Sequence, residues 1–157
     1  MLKSFKMPST GQEYLTNMFS YSIQIRVRYA DTDQMGYVYY GNYARYYEIA
    51  RVESLRHLGL TYNEIEKSGV MMPVLENKSK YLRPALYDEL LTIRLFIRDL
   101  PAKRVTFEYE IYNEQEKLIN LGETTLAFIH ADSRKPCQAP DVIVNAYKPF
   151  FENAKSN

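Results

Sequence analysis

A change of period in the hydrophobic pattern constrains this chain more than any other feature. From Tyr21 to Tyr29 apolar and polar residues alternate strictly: Tyr21, Ile23, Ile25, Val27 and Tyr29 fall on one side, Ser22, Gln24, Arg26 and Arg28 on the other. That is the pattern of a half-buried strand. Beyond Tyr43 the pattern switches to steps of about four residues, through Tyr43, Tyr47, Ala50, Ser54 and Leu58, with Tyr46 and Leu55 beside them. Arg45, Arg51 and Arg56 fall largely off this stripe. The spacing predicts one amphipathic helix over 42–58, roughly 25 Å long at 1.5 Å per residue, with Asn42 as its N-cap and Gly59 just past its end. Between strand and helix lies Tyr29-Ala30-Asp31-Thr32-Asp33-Gln34-Met35-Gly36-Tyr37-Val38-Tyr39-Tyr40-Gly41, with two carboxylates and two glycines. A helix start offers unpaired N–H groups and a positive dipole end, so this junction is suited to hold a reacting carbonyl.

The remainder reads mostly as strand. Thr61-Tyr62-Asn63-Glu64 has the form of a capping box, opening a short second helix that stops near Gly69. A strand over 70–82 is closed by Arg83-Pro84. Leu91, Ile93, Leu95 and Ile97 alternate with polar residues, as do Val105, Phe107, Tyr109 and Ile111, and a last strand runs over 117–130. Short connections make the last three an antiparallel meander. A terminal helix over 140–151 is cut off by Pro149. Strand, long helix and four further strands give an α+β fold in which a five-stranded antiparallel sheet wraps around one long central helix. Its open edges favour homodimers or homotetramers. Residues 1–18 show no periodicity and read as a poorly structured extension, with 19–157 as one domain; Met18 is a second possible start.

Charge excludes several partners. Lys and Arg number 20 against 19 Asp and Glu, which points to neither nucleic acid nor an anionic membrane surface. No run approaches the ~20 apolar residues of a membrane span, and the first twenty residues lack the core of a signal peptide, so a cytoplasmic protein is expected. Cys137 is the single cysteine, which leaves no internal disulfide, and no metal-ligand spacing occurs. His57 and His130 read as non-catalytic.

The residues Asp31-x-Asp33-x-x-Gly36-x-Val38-x-Tyr40-x-x-Tyr43, with Glu48-x-Ala50-Arg51 and later Tyr81-x-x-Pro84-Ala85-x-x-Asp88-Glu89-Leu90, resemble the hotdog-fold acyl-CoA thioesterases. The branch is that of 4-hydroxybenzoyl-CoA thioesterase and the Tol-Pal-associated thioesterase, and the resemblance covers 22–144. It implies that Asp33 is the catalytic carboxylate and that Tyr29 also serves in some members. The Tol-Pal-associated members carry a His at the position of Tyr40, whereas the hydroxybenzoyl branch has a Tyr there, as here. The resemblance further implies an acyl-CoA substrate, no bound cofactor and basic residues for the CoA phosphates: Lys103 and Arg104, with Arg83, Lys80 and Arg134 as alternatives.

The chemistry at the junction follows from the residues. A thiol of pKa about 8.5 departs as thiolate without an obligatory acid, so hydrolysis needs a positioned carboxylate and a donor to the carbonyl oxygen. Asp33 would attack the carbonyl or deprotonate a water, and the backbone N–H of Tyr40 or Gly41 would polarise it. Asp31 reads as structural, satisfying donors in the turn. Glu48 is either a second pocket carboxylate or the i,i+3 partner of Arg45 or Arg51. Two rival functions are a hydroxyacyl-carrier-protein dehydratase on the same fold, which would need a His in the site, and a non-catalytic acyl-CoA or acyl-carrier binder.

Overall fold

Five antiparallel strands form the main sheet of a computed structural model that describes residues 17–152. In chain order the elements are β1 (Phe19–Arg26), α1 (Asn42–His57), α2 (Tyr62–Lys67), β2 (Val70–Met71), β3 (Val74–Tyr81), β4 (Leu90–Ile97), β5 (Arg104–Tyr112), β6 (Leu118–Ala127), β7 (Ile129–His130) and α3 (Asp141–Glu152). The sheet order is β1-β4-β5-β6-β3, so the predicted meander β4-β5-β6 forms its centre and β1 and β3 its edges. The extension read over 1–18 lies almost wholly outside the described residues.

Helix α1 lies on one face of this sheet. Aligned rows such as Tyr21–Leu95–Tyr109–Gly122 and Ile23–Ile93–Ile111–Asn120 run across the strands on that face. Tyr47 is stacked on Tyr109 with ring centroids 4.3 Å apart, and its hydroxyl bonds the Asn120 side chain and Ser79 Oγ. The ring fits because residue 122 has no side chain: a Cβ there would lie 2.3 Å from Tyr47 Cζ. The predicted stripe is buried, apart from half-buried Leu58, with one addition. Arg51 belongs to it, donating to the Tyr109 hydroxyl at 2.9 Å and to Thr124 Oγ1 at 3.3 Å. Its guanidinium is buried because the sheet supplies neutral acceptors under the helix.

Helix ends follow local chemistry. The Leu60 amide bonds the Leu55 carbonyl and the Gly59 amide bonds that of Arg56, a Schellman closure of α1. Thr61 and Glu64 cap α2 reciprocally, as predicted. At the start of α1 the prediction is corrected: Gly41 occupies the cap and Asn42 is the first helical residue. The Asn42 side-chain amide instead donates back to the carbonyl of Asp31, 2.8 Å away.

Two predicted strands are each broken in two. Pro73 interrupts 70–82, and a register shift follows between Val74 and Glu76. Buried Phe128 interrupts 117–130. The detached pieces β2 and β7 pair with each other in a small ribbon beside the main sheet. Pro149 lies inside α3 rather than ending it, and α3 packs its Tyr147 and Phe150 edge-on against Phe19 at the start of β1. No helix among the described residues is long and apolar enough to cross a membrane.

Candidate active site

β1 stops at Arg26 where its partner strand turns away: the Val27 amide still bonds the Glu89 carbonyl in the β1–β4 register, but the Val27 carbonyl takes the amide of Asp88, which sits at φ +66°. The chain then makes a 3-10 turn over Tyr29–Asp31 and runs out and back as a short ribbon, with Thr32 opposite Val38. Asp33 and Gly36 form the tip, closed by the Gly36 amide on the Asp33 carbonyl at 3.0 Å. Gly36 sits there at φ +84°, a conformation that a side chain disfavours. Tyr39 returns beside Asp31, and α1 begins three residues later.

The later Tyr-Pro-Ala block packs on this ribbon. The Val38 amide bonds the Ala85 carbonyl at 2.9 Å, and Tyr37 bridges to Leu86. The two separated stretches that carry the family resemblance therefore meet in space.

Asp31 is the buried hub. Its Oδ2 accepts from the Arg28 amide and from the Tyr46 hydroxyl, both at 2.9 Å, and its Oδ1 pairs with the Arg45 guanidinium. Burial alone would raise its pKa, but the Arg28 amide, the Tyr46 hydroxyl and Arg45 outweigh that and hold the carboxyl below its ordinary range. Tyr46 is pushed well above the usual phenol value, first by burial and then by the Asp31 carboxylate.

Asp33 is exposed at the tip. Its Oδ1 accepts the Met35 amide at 2.8 Å, which fixes the carboxyl on the turn, and its Oδ2 accepts no hydrogen bond from the described residues. On the other side of the ribbon, the amides of Tyr40 and Gly41 have no acceptor among the described residues, whereas the Asn42 amide bonds Tyr39. Two residues of ribbon, roughly 7 Å, separate the level of Asp31 and Tyr39 from the tip.

Aromatic rings surround the helix start. Tyr43 is buried and meets Tyr46 and Tyr81 edge-on at 5.8 and 5.2 Å, while Tyr40 is exposed. Burial, with help from Tyr81 and Glu89, pushes the Tyr43 phenol up to about 12. Tyr29 does not continue the buried side of the strand as the alternation predicted. It is 79% exposed on the 3-10 turn, edge-on to Tyr87, because the turn that buries Asp31 swings it outward.

The proposed CoA contacts divide. Arg83 follows β3 at the junction end of the sheet, where it donates to the Leu118 carbonyl at 2.7 Å. Lys103 and Arg104 are exposed at the other end, since Arg104 pairs with Ala127 while Tyr112, at the far end of β5, lies near the end of β1. Eight residue steps of strand, about 26 Å, lie between. One chain therefore does not bring them to Asp33. Glu48 is exposed and forms no ion pair with the described residues, because Arg45 goes to Asp31 and Arg51 goes between α1 and the sheet. His57 rests against Tyr21 at the opposite end of α1 from the junction, and His130 lies in β7. Among the described residues no three His, Cys, Asp or Glu side chains could hold a metal ion.

The profile of the thioesterase-like superfamily matches residues 27–147. The chain belongs to that family. It is 35% identical to YneP of Bacillus subtilis (strain 168) over 115 residues, which are 73% of this chain and 83% of that protein. It is 32% identical to the acyl-CoA thioester hydrolase YbgC of Escherichia coli O6:H1, over 79% of this chain and 92% of its relative. Among solved structures, a DHNA-CoA thioesterase from Staphylococcus aureus superposes with a TM-score of 0.72 at 34% identity, covering 76% of this chain and 80% of the other. The chain is a thioester hydrolase of hotdog architecture, as the resemblance implied. Tyr81 is the residue at this site to which sequence reasoning attached no role, although it opens the Tyr-x-x-Pro-Ala block.

Proposed function

We propose that the protein hydrolyses acyl-CoA thioesters, with Asp33 as the reacting carboxylate and the free amides of Tyr40 and Gly41 as donors to the thioester oxygen. One observation carries this reading. A carboxylate with one oxygen tied to the Met35 amide and the other free stands on the ribbon that leads into a helix start with two unpaired N–H groups. The bond formed is from oxygen to the acyl carbon, the bond broken is carbon to sulfur, and CoA leaves as thiolate. An amide donor of this kind is typically worth about 2.7–4 kcal/mol in the transition state. Asp33 acts either by direct attack or by deprotonating water.

The working unit in this reading is a homodimer, alone or paired into a tetramer, in the cytoplasm. β3 is an exposed edge strand, with Val74 and Leu75 about half exposed. Antiparallel pairing of two such edges would set the Val74 end of one copy beside the Tyr81 end of the other. The second copy's Lys103 and Arg104 lie at that Val74 end, so they would approach the first copy's junction and join Arg83 in meeting CoA phosphates. No cofactor is needed. A dehydratase on this fold is disfavoured, because both histidines lie away from the junction.

The test is free-thiol release from benzoyl-CoA, butyryl-CoA and palmitoyl-CoA by wild type and by Asp33→Asn. Turnover by wild type and its loss in the variant are expected. A variant as fast as wild type would refute the assignment of Asp33, and enoyl hydration or binding without turnover would favour the rivals.

A further inference from the structure

We infer that Tyr81 is a positioning residue for the thioester-activating amide, its hydroxyl holding the Tyr40 carbonyl and thereby setting the direction of the Gly41 N–H. The inference rests on the donor role proposed for that amide. The Tyr81 hydroxyl donates to the Tyr40 carbonyl at 3.3 Å. That carbonyl's other partner among the described residues, the Tyr43 amide, is 3.4 Å away, so two long bonds hold the oxygen rather than one short one. The Tyr40 carbonyl and the Gly41 N–H belong to one planar peptide and point in opposite directions. Whatever pins the oxygen also aims the hydrogen. A bond accepted at the carbonyl polarises the peptide as well, which makes its N–H a better donor.

The flanks of this peptide are held by backbone bonds, Tyr39 to Asp31 and Asn42 to Tyr39, both at 2.9 Å, while on the peptide's own groups Tyr81 is the one side-chain partner among the described residues. Gly41 is the cap residue of α1 and brings no side chain to hold the turn. Tyr81, in contrast, is held firmly. It is the last residue of β3, in register with buried Asn120, which takes the Tyr47 hydroxyl from the underside of α1. Its ring stands edge-on to both Tyr40 and Tyr43, at 6.2 and 5.2 Å. Yet the residue is 48% exposed, so its hydroxyl is not needed to fill the core. The sheet edge is thus coupled to the first turn of the central helix by one phenol, which ties the direction of the donor to the rigid part of the fold.

Tyr81→Phe keeps the ring and removes only the hydroxyl. The chain has six glycines, so selective ¹⁵N-glycine labelling reads Gly41 directly, with Gly59 and Gly69 as internal controls. The Gly41 amide resonance is expected to move in Tyr81→Phe while the controls stay. With benzoyl-CoA and butyryl-CoA, kcat is expected to fall about 10-fold, less than the 10²–10³ that follows outright loss of such a donor, with KM within twofold and an unchanged Tm. An unmoved Gly41 resonance, or a moved one with wild-type kcat, would overturn the inference. Asp33→Asn measured alongside separates the two proposals: if that variant is fully active, the assignment of Asp33 fails, while the labelling experiment still decides whether Tyr81 holds the peptide.

Discussion

Asp31 and Asp33 are the same residue type, two positions apart on one ribbon, and the fold treats them oppositely. Asp31 is buried, and its carboxyl is occupied by the Arg28 amide, the Tyr46 hydroxyl and Arg45, while its carbonyl takes the Tyr39 amide and the Asn42 side chain. Asp33 is exposed, tied only by the Met35 amide, and has lone pairs to spare. The lesson is that hydrogen-bond saturation separates the two. A carboxylate saturated with donors frames the junction, while its neighbour, left half satisfied, keeps the free oxygen on which the proposed chemistry depends.

The sharpest way to break this contrast is to neutralise each carboxyl in turn. Asp33→Asn is expected to lower kcat by about 10²–10⁴ with no change in Tm, since the amide oxygen still accepts from Met35. A large fall in Tm would mean that Asp33 is part of the frame as well. Asp31→Asn is expected to do the reverse. Losing a buried charge that organises three donors should cost about 2 kcal/mol, discounted for a half-exposed Arg45, and lower Tm by roughly 4–8 °C in a scanning calorimeter.

The acid limb of stability sharpens the same point. The folded Asp31 carboxyl titrates below its ordinary value of 3.8. The unfolded chain therefore binds more protons in that window, and stability rises with pH there. The contribution is complete above the ordinary value and is lost as pH falls through the folded one. Urea midpoints measured from pH 5 downward should drop less steeply in Asp31→Asn than in wild type; identical slopes would remove Asp31 from the hub. The smallest effect is expected from Asn42→Ala, which removes one neutral bond to the Asp31 carbonyl and should cost about 1 kcal/mol in urea unfolding.

Much of this was legible in the residues, and the pattern of success is physical. β1, α1 and the capping box of α2 arise from interactions a few residues apart, so period and local chemistry were enough to place them. The family resemblance pointed to Asp33, and the helix start to the amides of Tyr40 and Gly41; those roles are what the Asp33 and Tyr81 variants test. Misreadings fell where distant partners decide. Arg51 looked like a surface charge, but its acceptors Tyr109 and Thr124 come from β5 and β6. The alternation ran through Tyr29, yet the left-handed turn at Asp88 ended the partner strand and the 3-10 turn carried Tyr29 out of the ladder. Asn42 had the composition of an N-cap, but Asp31 claimed its side chain and left the cap to Gly41.

Taken alone, the order of residues determined the period of each main element, the sharp change at the junction and the membership in a thioesterase family, because those depend on neighbours in the chain. Tertiary structure decided how Asp31 is consumed, by the Arg28 amide, the Tyr46 hydroxyl and Arg45, where the residues had indicated only a structural role in the turn. It also decided that Tyr81 reaches the helix start and that Lys103 and Arg104 lie a strand's length from Asp33. The reason is that burial and hydrogen-bond saturation are set by groups on other elements of the chain, and no local pattern records which of them will arrive.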